Sequence, residues 1–166
     1  MFRLSSFSVV GFSGSRSVVP AAAVQLALGR VAPSACVFVG CAGGVDGFVR
    51  SGWSGSVRVF SVASVGFSGR GAFAVRSAAC VRAVAAAGGA WVSFPSAPCP
   101  VGVVPSGSPF RGAGSGSWAS LALAVFLGVP SLVFAPFGVP GGWGFVSLGR
   151  GWWLFPGPVA AQLPLF

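Results

Sequence analysis

The chain has 166 residues, the length of one ordinary domain, and 54% of them are hydrophobic, enough to build a core. Its formal net charge is +9, made of ten Arg, no Lys and one acid, Asp46. A single acidic side chain excludes paired-carboxylate chemistry within one chain, and four Cys with no His and no C-x-x-C pair argue against a structural zinc site.

Short apolar runs alternate with helical segments, the pattern of a parallel sheet with crossover helices. The first strand is expected over Ser6 to Phe12, where a buried strand reads better than a signal peptide. Pro20 opens a helix that reaches Val31. A second strand, Ala35 to Cys41, is continuously apolar, as a strand covered on both faces should be. Gly43-Gly44 opens a short helix to Ser51, and a third strand follows over Val57 to Ala63. A long helix runs from Gly71 to Ala87 and stops at Gly88-Gly89, ahead of a fourth strand, Ala90 to Phe94. The Pro/Gly/Ser-rich loop from Pro95 to Gly116 is too long for a plain connector. A helix over Ser117 to Leu127 and a fifth strand over Ser131 to Ala135 come next. The apolar stretch Trp118 to Pro136 is cut at Gly128-Val129-Pro130, which fits a helix followed by a strand rather than a membrane span. Gly142 to Phe155 reads as a hairpin turning near Gly149-Arg150-Gly151. The fold class expected is therefore α/β: a Rossmann-like three-layer fold with a mostly parallel sheet of about five strands and a C-terminal hairpin, all in one domain.

The residue alphabet is narrow. Ile, Thr, Asn, Lys, Glu, His and Tyr never occur, and every standard codon for those seven contains adenine. Only Met1, Gln25, Asp46 and Gln162 require adenine. The coding strand is inferred to be adenine-poor, which leaves Arg as the one encodable cation. The positive charge and the high hydrophobicity are then partly coding effects and weak signs of nucleic acid or membrane. Asp46 gains interest because it persists against that bias.

Three strand-to-helix junctions are rich in glycine: Gly11-Phe12-Ser13-Gly14-Ser15-Arg16, Gly40-Cys41-Ala42-Gly43-Gly44-Val45-Asp46, and Gly112-Ala113-Gly114-Ser115-Gly116-Ser117. Glycine allows close backbone approach, and helix-start N–H groups suit a phosphate. In an open parallel sheet such loops gather at the carboxyl ends of the strands. The candidate ligand-binding residues are Ser13, Gly14, Ser15, Arg16, Gly43, Gly44, Asp46, Arg76, Gly114, Ser115, Gly116 and Ser117. Arg16, Arg76 and Arg111 can each grip a phosphate as a fork, or simply keep a poorly charged protein soluble. Asp46 can cap its helix or answer an Arg, and it can equally take a ribose hydroxyl or a base amine. Ser117 reads as a phosphate donor or an N-cap, and Trp118 as core more readily than as a base-stacking platform. Cys99, between two prolines, has no activating neighbour in sequence. Four thiols without a pairing pattern read as reduced and cytoplasmic.

The order of these motifs resembles the SLOG superfamily, which includes the LOG-type phosphoribohydrolases and the nucleotide-binding part of DNA-processing protein A. The segments that carry the resemblance are GFSGSR at 11–16, VGCAGGVDGFVR at 39–50, AVRSAACV at 74–81 and GSGSWASLALA at 114–124, within roughly residues 5 to 136. The resemblance implies a Rossmann-like domain that binds nucleotides or their derivatives. LOG-type hydrolases carry a catalytic Glu in their glycine-rich motif, and Ser120 stands at that place here. A hydroxyl does not replace a carboxylate in acid–base work. The function expected is sensor-like nucleotide binding without catalysis, so no catalytic residue, metal or cofactor is assigned. The alternatives are a LOG-like N-glycosidic hydrolase relying on Asp46 and a single-stranded nucleic-acid binder resembling DNA-processing protein A. A chain drifting under coding bias that folds but performs no chemistry is a fourth reading. The partner expected is a nucleotide-type small molecule, with nucleic acid and a homodimer left open and no membrane.

Overall fold

The computed structural model describes residues 2–66, 69–110 and 115–158. In chain order the elements are β1 (Val9–Gly14), α1 (Ala21–Leu28), β2 (Cys36–Gly40), α2 (Val45–Gly52), β3 (Val57–Phe60), α3 (Arg70–Ala86), β4 (Ala90–Phe94), α4 (Gly116–Phe126), β5 (Ser131–Phe134), β6 (Val146–Gly149) and β7 (Trp152–Phe155). One seven-stranded sheet has the order β3-β2-β1-β4-β5-β7-β6. The first five of these strands pair in parallel, while β7 runs antiparallel to both β5 and β6. This is the Rossmann-like three-layer α/β fold with its C-terminal hairpin.

The two layers of helix follow from residue alternation along buried strands. Val37 and Val39 of β2 join Val10, Phe12, Val92 and Phe94 in one cluster, which also takes Val24 and Leu28 of α1 and Val45 and Val49 of α2. Phe38, between those valines, turns to the other face, where Trp91 meets Val81 and Val84 of α3 and Trp118 and Leu121 of α4. Successive strand side chains point to opposite faces, so an unbroken apolar run serves two cores at once. Each fully buried large side chain contributes about 1.5–3 kcal/mol. Strand β3 lies at the edge and is largely exposed, whereas every residue of β4 is buried.

Element boundaries shift by a few residues from the sequence expectation, each for a local reason. The first strand begins at Val9 rather than Ser6 because Leu4–Ser6 makes a 3-10 turn closed by the Phe7 N–H on the Leu4 carbonyl, 3.2 Å. It extends to Gly14 because β4 runs beside it, with Gly14 in register with Phe94. The third strand stops at Phe60 rather than Ala63, since the Ser61 hydroxyl accepts the Ala63 N–H and starts a second 3-10 turn, Val62–Val65. Helix α1 ends at Leu28, three residues before Val31, with Gly29 as its cap.

The chain builds outward from β1 through β2 to β3 and then crosses back to place β4 on the other side of β1. Connections leaving β1 and β4 therefore diverge, α1 and α2 packing together on one face and α3 and α4 on the other. That divergence opens a crevice beyond the carboxyl ends of the strands, the place where open α/β sheets take their ligands. Among the described residues no helix is long and apolar enough to cross a membrane.

Candidate functional site

A cavity of about 750 Å³ occupies that crevice. Its floor is the end of β1, with Phe12, Ser13, Gly14, Ser15 and Arg16. One wall is the first half of α3, with Phe73, Arg76 and Ser77, and another is the start of α4, with Ser115, Gly116, Ser117 and Ser120. Val103, Pro109 and Phe110, from the long loop after β4, supply an apolar side. Polar and apolar walls meeting in one concave volume are the usual make-up of a small-molecule site.

The β1–α1 loop is held by the Ser15 side chain and by a backbone hydrogen bond to β4. The Ser15 hydroxyl accepts the N–H groups of Ser17 and Val18, at 3.2 and 3.0 Å, and the Ser15 N–H donates to the Phe94 carbonyl of β4 at 3.0 Å. Arg16 follows at once, with an exposed side chain. Its guanidinium carbon lies 4.0 Å from the centroid of the Phe73 ring. The Arg76 guanidinium carbon is 5.6 Å from the same centroid.

Asp46 and Arg76 form a buried ion pair. The Arg76 Nη1 donates to Asp46 Oδ2 at 3.2 Å, and both side chains are less than a tenth exposed. Asp46 Oδ2 also accepts the Ala42 N–H at 3.3 Å, while Arg76 donates from Nη2 to the Ser77 hydroxyl at 3.2 Å. Burial raises the Asp46 carboxyl above its ordinary pKa, and the attraction of Arg76 only partly offsets this. Gly40 makes the pair possible, because a Cβ there would fall on the Arg76 guanidinium and the Asp46 carboxylate. Arg50, one turn after Asp46, donates to the Gly40 carbonyl at 2.6 Å and so closes the same knot.

Hydroxyl groups line the remaining polar wall. Ser115 caps α4 by accepting the Trp118 N–H at 3.4 Å, and its oxygen lies 2.7 Å from that of Ser117. The cap is therefore Ser115, and Ser117 sits inside the first turn. The N–H groups of Gly116 and Ser117, by their place in that turn, lack helical acceptors and carry the positive end of the helix dipole. Below them Ser13 donates to Ser93 at 3.4 Å, and Ser93 donates to the Ser117 carbonyl at 3.4 Å. Ser120 returns its hydroxyl to the Gly116 carbonyl at 2.8 Å.

Of the residues singled out from sequence, Ser13, Gly14, Ser15, Arg16, Asp46, Arg76, Ser115, Gly116 and Ser117 come together around the cavity. Gly43 and Gly44 lie outside its lining. Gly44, with φ of 61°, instead lets the second loop press on the first, where the Val45 N–H donates to the Ser15 carbonyl at 2.9 Å. Gly114 and Arg111 lie outside the described residues, as does Gln162. Trp118 belongs to the core: it is fully buried, donates from Nε1 to the Ala97 carbonyl at 2.8 Å, and meets Trp143 edge-on at 5.9 Å.

Sequence reasoning missed Phe73 and Ser77 as site residues. Their signal was present, since Phe73 lies three residues before Arg76 and four before Ser77, spacings that share a helix face. It also had no means of placing Phe110, which reaches the cavity from an irregular loop.

All four cysteines are free thiols. Burial pushes Cys80 up to about 12, and it also raises Cys99, whose Sγ donates to the Pro100 carbonyl at 3.6 Å. Neither thiol is poised as a nucleophile. Among the described residues no three His, Cys, Asp or Glu side chains gather closely enough to hold a metal ion.

Fold and crevice together define a Rossmann-like α/β protein with an arginine- and hydroxyl-lined cavity at its topological switch point. No protein-family model, curated protein or solved structure matches the chain.

Proposed function

We propose that this is a SLOG-like binding domain for a nucleotide or nucleotide derivative, held through its phosphate and acting without catalysis. One observation carries the reading: a single cavity brings Arg16 and Arg76 together with the first turn of α4, whose free N–H groups suit a phosphate. The apolar side made by Val103, Pro109 and Phe110 suits the nucleoside portion. The order of glycine-rich motifs along the chain supports the SLOG likeness, and four free thiols support a reducing, cytoplasmic setting.

Thermal-shift measurements with nucleoside monophosphates, nucleotide sugars and ADP-ribose test the proposal. A ligand at 100 times its Kd stabilises by about 2.7 kcal/mol. A flat melting temperature across all phosphate-bearing compounds would overturn it.

The hydrolase alternative requires Asp46 to move protons, yet its carboxyl is already engaged by Arg76 and the Ala42 N–H. Release of free base from nucleoside monophosphates, abolished in Asp46→Ala, would restore that alternative. Binding of single-stranded nucleic acid that weakens steeply with salt would favour the third reading.

A further inference from the structure

Phe73 has no assigned role in the proposed ligand contacts, yet it sits where two arginines converge. We propose that Phe73 is a positioning residue: its ring holds the Arg16 guanidinium ready for the anionic group of the ligand. The inference rests on the binding function proposed above and adds the residue that sets the geometry of its grip.

Arg16 is exposed, and its guanidinium carbon lies 4.0 Å from the Phe73 centroid. That distance places it well within the range of cation–π attraction. Its backbone is fixed independently, because the loop around it is tied by the Ser15 hydroxyl and by the Ser15 N–H on β4. A long side chain anchored at the backbone and again at its head has little freedom left to lose on binding, which is how preorganisation raises affinity. The stack leaves the edge of the guanidinium, where its N–H donors lie, available to an anion.

Charge supports the same conclusion. The only carboxylate side chain in the sequence is Asp46, and it is engaged by Arg76. Among the described residues no carboxylate neutralises Arg16, so its charge is directed by an uncharged ring. An acid in that position would also orient the side chain, but it would cancel the charge the ligand needs. Phe73 orients Arg16 without that cost. Because Phe73 lies in the first turn of α3 and Arg16 after β1, the contact couples the floor of the cavity to its α3 wall.

Calorimetric titration of the full chain with AMP and with inorganic pyrophosphate provides the test. Phe73→Leu should weaken binding by about three- to tenfold, and Phe73→Trp, which retains an aromatic face, should restore it. In an Arg16→Ala background Phe73→Leu should have no further effect, whereas a merely structural residue would weaken binding equally in both backgrounds. In the free protein, NMR of Arg16 should show side-chain protons shifted upfield by the ring, a shift lost in Phe73→Leu. Wild-type protein that binds neither probe and is not stabilised by nucleotide sugars or ADP-ribose overturns the proposed function and this inference with it. Wild-type binding with undiminished affinity in Phe73→Leu, or additive losses in the double variant, overturns the role of Phe73 alone. Unshifted Arg16 protons would do the same.

Discussion

At the scale of single residues, the Asp46–Arg76 pair governs the site's local stability. Asp46→Ala would leave the Ala42 N–H and the buried Arg76 Nη1 without their acceptor and should cost about 1–3 kcal/mol in urea unfolding. Asp46→Asn should cost less, since its amide oxygen can still accept the Ala42 N–H. The pair also sets a pH dependence of unusual sign. Because burial raises the native carboxyl above 3.8, the folded protein holds this proton more tightly than the unfolded chain. Asp46 therefore favours folding most below pH 3.8, and that contribution is lost as pH rises through its raised native pKa. Denaturation curves across this window should show stability rising on acidification in the wild type and flat in Asp46→Asn.

At the scale of elements, the site depends on how loops seat against one another. Gly44 at a φ of 61° lies so close to the Ser15 and Arg16 backbone that a side chain there would be both strained and obstructed. Gly44→Ala should destabilise by about 1–3 kcal/mol and displace Arg16, read as a lower melting temperature with weaker AMP binding. Ser115→Ala removes the cap of α4 and should cost about 0.5–2 kcal/mol. The order of elements was legible in the sequence because buried parallel strands announce themselves as unbroken apolar runs, as in Ala90–Phe94. Their ends were less so. Where β1 stops depends on how far β4 runs beside it, and where β3 stops depends on a serine hydroxyl closing a turn. Sequence alone makes every glycine-rich loop a candidate ligand cradle. Gly14 and Gly116 do line the cavity, while Gly44 serves loop-to-loop packing, a distinction that motif spacing does not encode.

At the scale of the whole molecule, a net charge of +9 with one acid makes the fold self-repelling. Raising salt from about 20 mM to about 500 mM shortens the Debye length severalfold and should raise the melting temperature. A melting temperature unchanged or lowered by sodium chloride would show that repulsion is not a significant term. Acid should unfold this protein poorly, because Asp46 is the one acidic side chain in the sequence and there is no His. Circular dichroism between about pH 7 and pH 3 should therefore show retained secondary structure. The same scarcity bears on function. With one carboxylate side chain, itself paired, the described lining of the cavity offers arginine and hydroxyl donors, the feature on which the proposed anion binding rests.

By itself the sequence determined the α/β class, the succession of strands and helices, the C-terminal hairpin and the loops worth watching. These depend on local periodicity, on glycine and proline punctuation, and on runs too apolar to lie anywhere but inside. Only the tertiary structure decided what the candidates do together. Sheet order put the ends of β1 and β4 side by side and opened the crevice between them. Folding across 30 positions brought Asp46 to Arg76, assigning the lone acid to an ion pair before any ligand could claim it. Packing of α3 over the sheet brought Phe73 to Arg16. Such contacts are set by distances between elements far apart in the chain, and local residue spacing carries no record of them.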